Sequence, residues 1–257
     1  DKPLGIDKNW PARFLLRLME LGAAPAYRNA SAACDDARAV KDAAEQEAMR
    51  ASSKVNDDCM AEFEALIRPG ITEKEMAEAI RGIYAAHGCS GVSFPPICGF
   101  GAHAADPHHD NDDTPLEAGQ CVLIDVGGVY QDYCSDMTRT FFTGEPNEEE
   151  RKVYELVRQA QAAAEALVKP GVRLCDIDAA ARNLITEAGY GPYFNHRLGH
   201  FIGLEDHEAG DVSAVNERVV TPGMCFSIEP GIYLPGKFGV RIEDLVLVTE
   251  DGYEVLN

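Results

Sequence analysis

The second half of this chain repeats the first. Arg68-Pro-Gly-Ile-Thr-Glu, running on to His87-Gly88, aligns without a gap with Lys169-Pro-Gly-Val-Arg-Leu, running on to Ala188-Gly189. Gly119-Gln-Cys-Val-Leu-Ile-Asp125-Val-Gly127 then aligns with Gly223-Met-Cys-Phe-Ser-Ile-Glu229-Pro-Gly231. An internal duplication predicts two similar units meeting about a pseudo-two-fold axis.

Acidic residues occupy the matching positions. Val122 to Val126 and Cys134 to Phe141 read as two β-strands joined by a Gly-bearing turn, with Asp125 in one and Asp136 in the other. A hairpin folded about Tyr130 and Gln131 sets the two directly opposite, with Cβ atoms roughly 5 Å apart. Carboxylates that close repel unless a cation, a shared proton or solvent separates them. In the second half Glu229 and Glu243 are symmetric about Gly236, inside the turn signal Pro235-Gly236. Two such hairpins bring four carboxylates together, which suits a pair of divalent ions roughly 4 Å apart. His200, in H-R-L-G-H-F-I-G-L, is the leading imidazole to complete the set. A lone strand aspartate is ordinarily a satisfied turn or surface group, so the weight rests on the four together.

Charge and length bound the partners. The formal net charge of -20 argues against nucleic acid or an anionic membrane. No run of 18 apolar residues exists, and the first ten residues have neither the basic start nor the apolar middle of a signal peptide, so a cytoplasmic protein is expected. The eight cysteines are scattered, without a C-x-x-C, and read as reduced thiols.

Along the chain, Asn9 to Leu21 reads as a short helix with Asn9 as N-cap and Phe14, Leu15, Leu18 and Leu21 on one face. Residues 1–36 resemble the last strand-helix unit and linker of a preceding domain, and 37–257 the main domain. A long helix is expected from about Asp36 to Ile67, stopped by Pro69-Gly70. Thr72 with Glu75 caps the next helix, and Asn147 with Glu150 caps its counterpart in the second half. The passage between, ending A-D-P-H-H-D-N-D-D-T, suits the rim of a site. Helices in pairs followed by hairpins, twice over, predict an α+β domain whose helices back one curved antiparallel sheet.

The segments I-D-V-G-G…S-D-M-T-R-T-F, H-R-L-G-H-F-I-G-L-E-D-H-E, F-S-I-E-P-G-I-Y and G-V-R-I-E-D fall in an order that resembles the pita-bread-fold metallopeptidases. That group holds methionine aminopeptidases, Xaa-Pro aminopeptidases and Xaa-Pro dipeptidases (prolidases). The resemblance spans about residues 38 to 257 and implies a creatinase-type domain ahead of residue 36. It implies that Asp125 binds one metal, that Asp136 and Glu243 bridge two, and that His200 and Glu229 complete the shells. Oxygen-rich ligation with one imidazole suits Mn²⁺ first, then Co²⁺ or Fe²⁺, and admits Zn²⁺. It further implies hydrolysis by a metal-bridging hydroxide, with Glu229 relaying protons and His196 and His207 lining the site. His108 would bind near the scissile amide, with His109 as the alternative. Arg241 stands two residues before Glu243 on the same face, suiting either an ion pair to a ligand carboxylate or substrate binding.

The expected activity is that of an Xaa-Pro dipeptidase or aminopeptidase acting on short peptides with proline second, with the full-length protein expected to be a homodimer. Arg241 favours this over a methionine aminopeptidase, which carries a Gln-bearing segment there. A metal-free creatinase-like hydrolase or a binding module is the other alternative; clustered carboxylates without metal would be costly to keep.

Overall fold

The computed structural model describes residues 2–257. The duplication is visible in the backbone. Gly70 and Gly171 both adopt positive φ after a helix, as do Gly88 and Gly189, and Gly119 matches Gly223 before the hairpins. Gly70 N–H donates to Leu116 O at 2.8 Å, and its counterpart Gly171 donates to Val220 O at 3.0 Å.

Each half contributes a helix pair and a hairpin. In the first, α3 (Ala43–Ala65) and α4 (Glu73–Ala86) follow the short elements β1 (Leu4–Ile6), α1 (Ala12–Glu20), β2 (Tyr27–Asn29) and α2 (Ser31–Ala39). Strands β3 (Gly91–Val92), β4 (Ile97–Phe100), β5 (Cys121–Val126), β6 (Gly128–Tyr130), β7 (Tyr133–Cys134) and β8 (Met137–Phe142) come next. The second half has α5 (Glu148–Glu165) and α6 (Leu174–Glu187), then β9 (Gly199–Phe201), β10 (Glu208–Val212), β11 (Cys225–Ile228), β12 (Gly231–Leu234), β13 (Phe238–Arg241), β14 (Asp244–Val248) and β15 (Tyr253–Val255). Cys59, Phe63, Met76, Ile80 and Tyr84 of α3 and α4 pack against Val122, Ile124 and Val126. Val153, Val157, Ile177, Ala181 and Ile185 of α5 and α6 pack with Phe201, Phe226 and Val246. Helices therefore cover the outer faces of both hairpins and leave the inner faces to each other. The capping boxes expected at Thr72/Glu75 and Asn147/Glu150 both form. All eight cysteines are free thiols, and no described helix is long and apolar enough to cross a membrane.

The hydrogen-bonded ladders are interrupted at one level in both halves. Strands β5 and β8 pair as far as Val126↔Met137, and β6 and β7 resume at Val129↔Cys134. Likewise β11 and β14 pair as far as Ile228↔Asp244, and β12 and β13 begin at Gly231↔Arg241. The expected single curved sheet is thus divided into shorter antiparallel ladders, and Asp136, Glu229 and Glu243 fall in the breaks. Pro230 removes one ladder donor there, while Ser135 Oγ satisfies Gly128 N–H from the side at 3.0 Å.

Three expectations need correction. The first hairpin turns about Gln131 and Asp132, both with positive φ, as a two-residue turn requires. Asp125 consequently faces Thr138, and Asp136 is its diagonal neighbour. The displacement amounts to two positions in pairing, so both carboxylates keep the same face. The second hairpin has the expected register. The long helix from Asp36 is two helices, because Val40 bridges Met224 and Asp42 with Glu45 forms a capping box that starts α3. Pro11, not Asn9, precedes α1, whose Phe14 and Leu21 are exposed.

The Gly199 α-carbon lies so close to β11 that an added Cβ would sit 1.8 Å from Ser227 O. Gly199→Ala should therefore push β9 off its neighbour and destabilise the chain by about 3 kcal/mol or more. Gly82, in α4 with open space around its α-carbon, is the control: Gly82→Ala should stabilise by about 0.5–1 kcal/mol. Chemical denaturation measures both.

Candidate metal centre

The breaks in the two hairpins, together with β9, open onto a cavity of about 540 Å³. Its walls bring together Asp125, Asp136, His200, Glu229 and Glu243, the five residues singled out as candidate ligands, and also His108, His196, His207 and Arg241. Asp136, His200 and Glu243 each offer a ligand atom within 4.8 Å of the others. The His200 Nε2 atom stands 3.2 Å from Asp136 Oδ2 and 3.7 Å from Glu229 Oε1. Its Nδ1 faces Phe201 O at 3.2 Å, so an Nδ1–H donor there leaves the Nε2 lone pair directed at the carboxylates.

Neighbouring side chains hold one oxygen of most carboxylates and leave the other free. Thr138 Oγ1 donates to Glu243 Oε2 at 2.6 Å, while Glu243 Oε1 is buried without a partner. Arg241 donates to Asp125 Oδ2 at 2.6 Å, while Asp125 Oδ1 is likewise orphaned. Asp136 Oδ1 is a third such atom, and Ser227 Oγ donates to Glu229 Oε1 at 3.2 Å. Buried carboxylate oxygens without partners are costly, and three of them around one imidazole fit a cation better than any hydrogen-bonded network would. The donor set is hard oxygen with one nitrogen, which suits divalent first-row metals.

Electrostatics make the same point. Burial and then the charge of Glu243 push the Asp136 carboxyl well above its usual range. Burial and Glu229 do likewise for Glu243. Burial raises Glu229 to about 8 against the partial relief of Arg241, and it depresses the His200 imidazole to about 3. The metal-free centre therefore holds protons on its carboxylates and a neutral histidine, as a site built for added positive charge should.

The histidines divide by what their nitrogens touch. Both ring nitrogens of His196 are engaged, Nδ1 with Arg197 O at 2.6 Å and Nε2 with Tyr233 OH at 2.9 Å. It lines the cavity with its ring and has no N–H to spare for an oxyanion. His207 is exposed, its ring 4.2 Å from that of His200. His108 is exposed at the cavity wall, whereas His109 points away to Glu73 at 2.6 Å. That contact settles which of the two histidines faces the cavity.

Several residues at the site were not singled out from the sequence. Asp206 lines the cavity against Asp136, with its Oδ1 buried and unpartnered, and burial raises it to about 7. Its only signal was its place in E-D-H, where the neighbouring His207 took the attention. Tyr233 and Thr138 link the charged groups: Arg241 donates to Tyr233 OH at 2.8 Å and to Thr138 Oγ1 at 3.0 Å. Glu73 is fully buried and accepts from Phe100 N–H, Asp112 N–H and the imidazoles of His103 and His109. It thereby ties down the loop that presents His108. No sequence periodicity marks such a residue.

Comparison with known proteins agrees with this geometry. A sequence model described as metallopeptidase family M24 matches residues 47–250. An uncharacterized peptidase of Staphylococcus aureus (strain bovine RF122 / ET3-1) is 45% identical over 219 residues, covering 85% of this chain and 62% of that protein. The chain thus spans less than two thirds of the length of the curated relatives it matches. Among solved structures, the prolidase from Pyrococcus furiosus is similar with a TM-score of 0.96 at 36% identity, over 99% of this chain and 75% of that one. The X-Pro aminopeptidase from Thermotoga maritima MSB8 gives 0.92 at 35%, over 99% and 73%.

The protonation pattern fixes how stability depends on pH. Glu229 binds its proton up to about 8 in the folded chain, against 4.5 for an ordinary glutamate. Between those values the native state holds more protons than the unfolded state, so stability falls as pH rises. His200 acts oppositely, its contribution being lost as pH falls from 6.5 towards about 3. The metal-depleted chain should therefore melt at a lower temperature at pH 8.5 than at pH 6.5, values chosen within roughly the window these shifts define. Added Mn²⁺ should raise the melting temperature more at the higher pH. A metal-depleted melting temperature that climbs over this interval would contradict the assignment.

Proposed function

The chain belongs to metallopeptidase family M24, and from that premise we propose that it is a dinuclear-metal Xaa-Pro peptidase, cleaving the bond between an N-terminal residue and a following proline. The observation that carries the proposal is the trio of orphaned oxygens on Asp125, Asp136 and Glu243 beside His200 and Glu229 in one cavity. These five residues would hold the ions, with Mn²⁺ the leading candidate on the donor set. The chemistry such ions supply when bound is acidification of a water and polarisation of a carbonyl.

The chain's own groups do the rest. Glu229, raised to about 8 by burial, is poised near neutral pH to take a proton at a carboxylate oxygen and return it to the leaving amide nitrogen. Arg241 binds no substrate on this reading. Its guanidinium fixes Asp125 and, through Thr138, the orientation of Glu243, while Tyr233 carries the same network to His196. His108 and His207, exposed in the cavity, are free to donate to the substrate's carbonyl and backbone. Phe94, Pro95 and Ile97 supply an apolar wall on the same side as His108, suited to a pyrrolidine ring. The similar proteins described as a prolidase and an X-Pro aminopeptidase support proline specificity.

The full chain, loaded with Mn²⁺, should hydrolyse Xaa-Pro dipeptides or Xaa-Pro-Yaa tripeptides in preference to Met-Ala-type peptides. Preference for the latter would overturn the specificity. Glu229→Gln should reduce kcat by roughly 100-fold or more while the fold is kept. Thr138→Val, which frees Glu243 to rotate, should weaken metal binding by about 10- to 100-fold, measured by competition with a chelating dye. Unchanged metal affinity in that variant would remove Thr138 from its positioning role.

A further inference from the structure

The cavity holds six carboxylates and two guanidinium groups, and the two arginines differ in what they touch. Arg241 is buried and committed to Asp125, Thr138 and Tyr233. Arg197 lines the same cavity, half-buried, and among the described residues its side chain makes no hydrogen bond and no ion pair; only its carbonyl is engaged, by His196. Its charge still reaches across the cavity, lowering Asp206 and Glu229 and disfavouring protonation of His207. A guanidinium recruited to neutralise the acids would contact one of them. One left open in a concave site is a receptor for an anion brought by the ligand, and its planar fork matches a carboxylate.

The base of this side chain is firmly placed. Leu198, the next residue, is fully buried and its N–H donates to Val212 O at 2.8 Å, and β9 follows at once. Arg197 precedes His200 by three residues, so their α-carbons are at most about 10 Å apart. A peptide whose scissile bond lies at His200 therefore meets Arg197 within about one residue's span, roughly 3.5 Å, plus the reach of the side chain. The one anion every linear peptide with a free C-terminus must carry is its terminal carboxylate. It falls there only when the chain ends one residue beyond the scissile bond.

We propose that Arg197 is the anchor for the C-terminal carboxylate of a two-residue substrate, so that the site selects dipeptides over longer peptides. The inference rests on the peptidase reading above and deepens it by naming the substrate class. An amide cap or a third residue removes or displaces the anion and leaves the guanidinium desolvated without a partner.

The test compares Ala-Pro, Ala-Pro-amide and Ala-Pro-Ala on the full Mn²⁺-loaded chain, for the unaltered protein, Arg197→Ala and Arg197→Lys. Calorimetric titration with L-proline and L-prolinamide runs alongside. Loss of the charge-assisted contact should raise KM for Ala-Pro about 10- to 100-fold with kcat little changed. KM for the amide should stay nearly constant, and Arg197→Lys should recover part of the loss. Proline binding should weaken in Arg197→Ala while prolinamide binding does not. Equal losses on dipeptide and amide, or an unchanged KM for Ala-Pro with unchanged proline affinity, would overturn the proposal. Arg197-dependent proline binding by a chain that cleaves no Xaa-Pro peptide would support the anchor and sink the peptidase reading. Cleavage without Arg197-dependent discrimination would do the reverse.

Discussion

Four carboxylates confined within a few ångströms, most of them fully buried, constitute the constraint on which this structure turns. Alone they would repel and lose their hydration, and the strongly raised protonation of Asp136 and Glu243 measures that conflict. The scaffold tolerates it through a division of labour. One oxygen of Asp125 and one of Glu243 are pinned by Arg241 and Thr138, and the remaining lone pairs converge beside His200. Local stability has been given up for a site that a divalent ion would complete. The core elsewhere compensates, since each hairpin buries its outer face beneath two capped helices.

The duplication explains how such a centre can be built at all. A single hairpin supplies two acidic groups on one face and two unsatisfied ladder positions. Bringing a second copy against it places the breaks of both ladders at the same level, so the irregular backbone needed to aim the acids lies between the halves and out of the regular sheets. Thr138 and Arg241 belong to different halves, yet they hydrogen-bond each other and each holds a carboxylate of the other half. This cross-bracing ties the geometry of the site to the closure of the two units, and relative motion of the halves would disturb every ligand at once.

Much of this could be read in the amino-acid sequence because period and symmetry survive there. The register of the second hairpin followed from Glu229 and Glu243 being equidistant from Gly236, and the ladder from Cys225↔Leu247 to Leu234↔Phe238 keeps that register throughout. The first hairpin was displaced because its turn uses Gln131 and Asp132 at positive φ, a conformation in which glycine is the usual signal. Even so, the face of Asp136 was right, since a displacement of two preserves the alternation. The break between α2 and α3 was hidden by alanine spacing that continues across it. Only the later D-x-x-E pattern at Asp42 and Glu45, and a tertiary bridge from Val40 to Met224, stop the helix.

What could not be read were partnerships between residues distant in sequence. Arg241 was balanced between a ligand carboxylate and the substrate until Asp125, Tyr233 and Thr138 were seen to surround it. His108 and His109 are adjacent and chemically identical, and the choice between them belongs to Glu73, a buried carboxylate on another element that claims His109. The same reasoning separates the two cavity arginines. Composition gives each one positive charge, but a guanidinium whose donors are all met within the fold shapes the protein, and one with none met shapes what the protein can bind. Function in this centre is carried less by which charges are present than by which of them the fold leaves unanswered.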